Sequence, residues 1–214
     1  IDPAPFKVAP SQSTARHELG LPEARLIFLY AGSFGPNRGL EEIIAAAAEF
    51  ERTQPGRALW VLVGGRGEEL AEFERRVREQ SVSADIRLHG LQYSSRLPLW
   101  YAAADCLLAP YSARLPAADV MNPMKLYEYS AAARPIVASN LPAVREALGG
   151  NPAALLIKPD SVESLTAAFY RFCRERDKWQ HRANSFQREA LGNTWVNKAK
   201  GILEWLGGLN PAQS

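Results

Sequence analysis

Cysteine and histidine are scarce in this chain, with two and three copies in 214 residues. Cys106 and Cys173 fall in an apolar strand pattern and a helix pattern, without ligand-type spacing and with no secretory pattern before them. They read as reduced core residues rather than a disulfide or a metal pair. His17, His89 and His181 are scattered, none with a Cys, Asp or His partner at metal-ligand spacing, so no metal site is expected. Long apolar runs are lacking too: Ile43 to Ala48 falls far short of the roughly 20 residues a spanning helix needs. Neither charge sign dominates, because 25 Lys and Arg stand against 23 Asp and Glu. That balance gives no case for wholesale nucleic-acid binding but leaves a small anion open as a partner. No Gly-Lys-Ser/Thr closes a Walker A loop, and there is neither a Gly-x-Gly-x-x-Gly fingerprint nor a Gly-x-Ser-x-Gly elbow. ATPase, ordinary NAD-dependent and serine-nucleophile chemistries therefore lack support.

What is present is alternation. Short apolar runs read as strands at Leu26 to Ala31, Ala58 to Val63, Ile86 to His89, Asp105 to Ala109, Pro135 to Ser139 and Ala153 to Ile157. Between and after them, amphipathic stretches predict helices near Leu40 to Arg52, Glu68 to Gln80, Ser95 to Ala103, Asn122 to Ala132, Pro142 to Leu148, Val162 to Arg174, Lys178 to Leu191 and Thr194 to Leu206. Ser161 with Ser164, Asn193 with Thr194, and Asp177 stand where helix caps belong; Gly149-Gly150 and Gly207-Gly208 stand where helices should stop. Residues 1–24 lead in with a short helix at Ser13 to Leu19, and residues 25–192 carry the repeated βα units. The expected fold is α/β, a Rossmann-like doubly wound parallel sheet of about six strands, whose ligands lie beyond the carboxyl ends of the strands. Trp60, Trp100, Tyr101, Trp179, Trp195 and Trp205 recur at strand or helix spacing and read most simply as core.

That rule selects the βα loops. The first, Gly32-Ser33-Phe34-Gly35-Pro36-Asn37-Arg38-Gly39, is glycine-rich, so its backbone could approach a phosphate, and Arg38 could fork onto phosphate oxygens. A tight turn with a solvated arginine is the plain alternative. The second, Gly64-Gly65-Arg66-Gly67, is of the same kind but fits simple turn chemistry. Leu88-His89-Gly90 ends in a glycine against which a flat base could lie, with His89 reading as a packing residue rather than a base catalyst. Asp119, in the long loop from Pro110 to Met121, could accept a sugar hydroxyl or be simply solvated.

The segment Asn122-Pro123-Met124-Lys125-Leu126-Tyr127-Glu128-Tyr129 is the most informative. Asn122 suits an N-cap and Pro123 the first helical position, which would leave the backbone N–H groups of Met124 and Lys125 unpaired at a positive helix end that attracts anions. Lys125 and Glu128 lie three apart, so a cation for phosphate and a carboxylate for hydroxyl groups share one face.

With these residues in view, nearly the whole chain resembles the carboxyl-terminal, donor-binding half of GT-B retaining glycosyltransferases of the glycosyl transferases group 1 family. The resemblance runs from Ile1-Asp2-Pro3-Ala4-Pro5-Phe6 through Tyr30-Ala31-Gly32-Ser33, Arg38-Gly39-Leu40-Glu41, Val63-Gly64-Gly65, His89-Gly90 and Tyr101-Ala102-Ala103-Ala104-Asp105. Its most specific part is Pro123-x-Lys125-Leu126-x-Glu128-Tyr129-x-Ala131-Ala132 with Pro135. It implies that a nucleoside diphosphate sugar, of UDP or GDP, is the donor and that no separate cofactor or metal takes part. Glu128 would hold the ribose hydroxyls, while Arg38 and the first loop would hold the diphosphate, with Arg38, Lys125 and Glu128 as the catalytic set. It further implies that residues 1–24 are an interdomain linker and that the acceptor-binding amino-terminal domain is missing. Residues 193–214 would pack toward that domain and show apolar surface without it, and this half would be inactive alone. A glycan or lipid-linked acceptor, a cytoplasmic location and contact of the full enzyme with the inner membrane face follow from the same resemblance. Three positions depart from it: Val120 where many relatives have a second glutamate, Ser33 where many have arginine, and Ala133 where a glycine usually closes the helix. A nucleotide-sugar epimerase of the same architecture and a nucleotide-binding module that has lost its chemistry stand as alternatives.

Overall fold

The computed structural model describes residues 1–80, 82–116 and 118–208. Its six strands are β1 (Leu26–Ala31), β2 (Ala58–Gly65), β3 (Ile86–Gly90), β4 (Cys106–Ala109), β5 (Ile136–Ser139) and β6 (Ala154–Ile157). They pair in parallel throughout, in the order β3-β2-β1-β4-β5-β6. The order reverses direction between β1 and β4, so the helices that follow those two strands, Leu40–Thr53 and Met124–Ala131, pack on opposite faces of the sheet.

Side chains alternate between two cores with the period of a strand. Ile27, Leu29 and Ala31 of β1 join Leu59, Val61 and Val63 of β2 on one face, whereas Phe28, Tyr30, Trp60 and Leu62 point to the other. The first face is covered by α2 (Gln12–Leu19), α5 (Leu97–Ala103), α6 (Met124–Ala131) and α7 (Pro142–Leu148). The second is covered by α3 (Leu40–Thr53), α8 (Val162–Arg174) and Phe73 of α4 (Gly67–Glu79). Burial on both faces explains why the strands read as continuous apolar runs. At the centre of the second core, the Phe28 ring meets those of Phe50, Trp60, Phe169 and Phe172 at centroid distances of 4.5–6.3 Å. Such aromatic pairs add to the area they bury and fix how α3 and α8 sit on the sheet.

The remaining helices are a single turn, α1 (Ala4–Lys7), α9 (Arg176–Leu191), which packs on α6, and α10 (Trp195–Gly208). Several helix ends differ from expectation. Ser161 caps α8 by accepting from the Ser164 N–H at 3.1 Å, as its sequence implied. At α10 the cap is the Thr194 hydroxyl, which accepts from Asn197 N–H, rather than Asn193. Asp177 lies inside the first turn of α9, with Glu175 in the cap position. Gly149 closes α7 in the left-handed region, whereas Gly207 and Gly208 continue α10. Ala133 takes the left-handed conformation a glycine would supply, at φ 52°, just beyond α6. Gln180 donates to its carbonyl at 2.8 Å, one of the bonds that hold this strained turn against α9.

Trp195 and Trp205 are not core. Both are more than half exposed, as are Val196, Ile202, Leu203 and Leu206, so α10 presents an apolar face. No helix among the described residues is long and apolar enough to cross a membrane.

Residues 1–24 are fastened by charge. The Arg16 guanidinium is buried and pairs with Asp105 Oδ2 at 2.6 Å while also donating to the Ala103 and Glu23 carbonyls. The same carboxylate accepts from the Ile27 backbone N–H at 2.6 Å and from Arg176 of α9. One acid therefore ties the leading segment, β1 and α9 together at the amino end of β4. Replacing Asp105 with alanine strands the buried Arg16 charge, and the expected loss is about 3–5 kcal/mol. Urea denaturation followed by tryptophan fluorescence measures it; a loss below about 1 kcal/mol would contradict this role.

Candidate functional site

The crevice beyond β1 and β2 is a cavity of about 540 Å³ lined by Gly32, Ser33, Gly64, Arg66, Glu69, Leu91, Gln92, Leu97, Tyr101, Met124, Lys125 and Glu128. Its floor depends on two glycines. A Cβ at Gly32 would stand 2.5 Å from Lys125 Nζ, and one at Gly64 would collide with the Gly32 carbonyl; both have positive φ. The loops after β1 and β2 therefore approach each other closely enough that any side chain would push them apart.

Lys125 is the central cation. Its ammonium lies 4.0 Å from the centroid of the Tyr30 ring and 5.3 Å from that of Tyr111, and it forms no ion pair among the described residues. Burial, chiefly, pushes its pKa down to about 7; nearby Arg38 adds to the drop and Glu128 opposes it. The aromatic faces offer partial compensation for the lost hydration. Tyr30 donates to the Ser33 carbonyl at 2.9 Å, so the ring beneath the ammonium also steadies the first loop. Burial raises the pKa of Tyr30 and carries that of Tyr111 up to about 12, which keeps both phenols neutral.

Glu128, one turn along α6, accepts from the Tyr101 hydroxyl at 2.8 Å through Oε2. Tyr129 faces the sheet instead: its hydroxyl accepts from the Ala31 N–H at 3.0 Å and donates to the Leu108 carbonyl at 3.3 Å. That bond clamps α6 to the ends of β1 and β4, the two strands that flank the crevice.

Several expected residues lie elsewhere. The N-cap of α6 is Pro123, so Asn122 stands one position outside the helix, exposed and making no cap bond. The orphan N–H groups of Met124 and Lys125 remain at the helix start, but Leu126 N–H already bonds the Pro123 carbonyl and its side chain is fully buried. Phe34 is buried against Phe73, 5.2 Å between centroids, and anchors the first loop rather than lining the cleft. Gly65 is spared a side chain because the Phe34 ring occupies that space. His89 packs on Trp100 at 4.6 Å, and burial, with Arg87 adding, lowers its pKa. Gly90 ends β3 without reaching the cavity, and Asp119 is exposed and lines none of the described hollows. Arg38 and Gly35 line an adjoining hollow of about 450 Å³ with Glu41, Glu69, Arg76 and Arg114.

Tyr101, Leu91, Gln92 and Leu97 enter the cleft without having been singled out for it. For Tyr101 a signal existed: a buried tyrosine needs a partner for its hydroxyl, and reading it as core left that partner unassigned.

A parallel sheet of this order, with its cleft at the reversal point and a helix start beside it, defines a Rossmann-like domain of the kind found in GT-B enzymes. Residues 11–190 match the family model described as "Glycosyl transferases group 1", and the chain belongs to that family. It is 27% identical over 202 residues to the D-inositol 3-phosphate glycosyltransferase of Nocardia farcinica, covering 90% of this chain and 43% of that protein. It thus spans less than half the length of that relative. Among known structures, Anabaena Alr3699/HepE in complex with UDP superposes with a TM-score of 0.79 at 20% identity, over 98% of this chain and 56% of that one. The C-terminal domain of the group 1 family protein LpcC from Francisella tularensis gives 0.72 at 16% identity, over 91% and 98%. These two similarities bear on the fold.

The titration of Lys125 has a consequence for stability. Between about pH 7 and its ordinary value of 10.5, the unfolded chain holds a proton that the folded chain has released, so this residue's contribution rises with pH. Replacing it with methionine removes that slope. Urea midpoints of both forms from pH 6 to 10 should show the advantage of Lys125→Met greatest below pH 7 and shrinking above it. A constant difference would contradict the buried-ammonium account.

Proposed function

We propose that this chain is the donor-binding half of a retaining glycosyltransferase that takes a sugar from a nucleoside diphosphate sugar, with UDP or GDP as carrier, and passes it to a glycan or lipid-linked acceptor. The observation that carries this reading is Lys125: an ammonium without an ion-pair partner among the described residues, set beneath a glycine backbone at a helix start, with Glu128 one turn away. Such a set is complementary to a diphosphate joined to a diol. The diphosphate would lie over Gly32 and Ser33, meeting the N–H groups of Met124 and Lys125 and the Lys125 ammonium, with Arg66 at the opposite wall and Arg38 alongside. Glu128 would accept from the ribose hydroxyls. When the bond to the sugar breaks, charge grows on the departing diphosphate, and cations fixed in advance stabilise that state more than the ground state. Arg38, Lys125 and the α6 start fill this role. A similar structure, that of Anabaena Alr3699/HepE, has also been determined in complex with UDP-glucose, which supports a donor of this class.

Acceptor contacts would come from a second domain, in keeping with the greater length of the relatives, and the apolar face of α10 would seat against it. This half alone would then bind donor without turnover. The full enzyme would work on the cytoplasmic side of the membrane.

Titrating UDP, GDP and ADP into the chain by calorimetry tests the reading. UDP or GDP is expected to bind, and Glu128→Ala to weaken that binding by about 1–3 kcal/mol. Absence of binding by all three nucleotides would overturn it.

A further inference from the structure

Glu128 is held in an unusual way for a surface-cleft carboxylate. It forms no ion pair among the described residues, and its one protein donor is the Tyr101 hydroxyl on Oε2 at 2.8 Å. Among the described residues Oε1 has no protein donor. Tyr101 is itself packed in: it is 1% exposed, its ring lies edge-on to Tyr129 at 5.1 Å and parallel to Phe6 at 6.5 Å. Tyr129 in turn is bonded to β1 and β4 through its hydroxyl. A rigid line thus runs from the sheet through two tyrosines to one carboxylate oxygen. Burial holds the Tyr101 phenol in its neutral, proton-donating form, with the neighbouring Tyr129 and Glu128 adding to the effect.

We propose that Tyr101 is a positioning residue for nucleotide recognition: it fixes the Glu128 carboxylate so that the free oxygen meets the ribose diol of a nucleoside diphosphate. The proposal rests on the reading of Glu128 given above and goes beyond it. A free glutamate side chain would lose rotamer freedom on binding. Here that freedom is lost already, in the folded protein, so the hydrogen bond to the ligand is formed at lower entropic cost.

The test compares UDP with 2′,3′-dideoxy-UDP, which keeps base and diphosphate but lacks the diol. The unaltered chain should prefer UDP by about tenfold or more, as expected when a hydrogen-bonding group loses its partner. Tyr101→Phe keeps the ring and its packing and removes only the hydroxyl. It should weaken UDP by about five- to tenfold and leave the dideoxy ligand unchanged, in line with the cost of ordering one side chain. In a Glu128→Ala background the same change should have no further effect on UDP, because the group being positioned is gone. Equal weakening of both ligands by Tyr101→Phe, or a full effect persisting without Glu128, would show a packing role and overturn the proposal while sparing the ribose assignment. Equal affinity of the unaltered chain for the two ligands would overturn the ribose assignment and the proposal with it.

Discussion

An ammonium set against tyrosine rings, without a carboxylate bonded to it, constrains everything at the carboxyl edge of this sheet. Lys125 occupies the space that a side chain at residue 32 would need, and the positive φ there favours glycine independently. Gly32 then lies against Gly64, and the loops after β1 and β2 are locked to one separation. Tyr30 lies below the lysine, its hydroxyl committed to the Ser33 carbonyl, and Tyr111 lies beside it. A buried cation left in this condition costs stability, which burial reports as a lowered pKa.

The scaffold around that cation is stiff for identifiable reasons. Tyr129 bonds to both flanking strands, so α6 cannot slide along the crevice without breaking buried hydrogen bonds. At the opposite end of β4, Asp105 gathers Arg16, Ile27 and Arg176 on one carboxylate and holds the leading segment to the sheet. Both ends of β4 are therefore anchored, the carboxyl end beside the cleft through Tyr129 and the amino end through Asp105. The shape of the cleft is set by backbone approach and buried polar bonds more than by flexible surface side chains.

The fold was legible because both sheet faces are buried: each strand reads as a short apolar run, and each crossover as an amphipathic helix with end signals. Boundaries shifted by a residue or two where local chemistry offered two solutions, as with Thr194 in place of Asn193 and Pro123 in place of Asn122. The site was legible where backbone and charge make it, at Gly32, Gly64, Lys125 and Glu128. It was misread where loop residues serve the core. Phe34 sits among loop glycines yet is buried, because its sequence position does not disclose which way its side chain turns, whereas His89 packs on a tryptophan as its place at a strand end implied. Tyr101 erred in the opposite direction. Its ring is core while its hydroxyl is cleft, a division that no hydrophobic pattern expresses.

The same reasoning bears on α10. Met124 lines the cleft, and it also borders two smaller hollows in which Ile1 and Trp195 meet. The backbone nitrogen of Ile1 donates to the Asn193 carbonyl at 2.8 Å, so the leading segment and the start of α10 are joined beside the start of α6. The exposed apolar side chains of α10 thus extend from the rim of the cleft. Whatever is seated on that face would bury Trp195, Trp205 and their neighbours and, by position alone, would stand next to the start of α6.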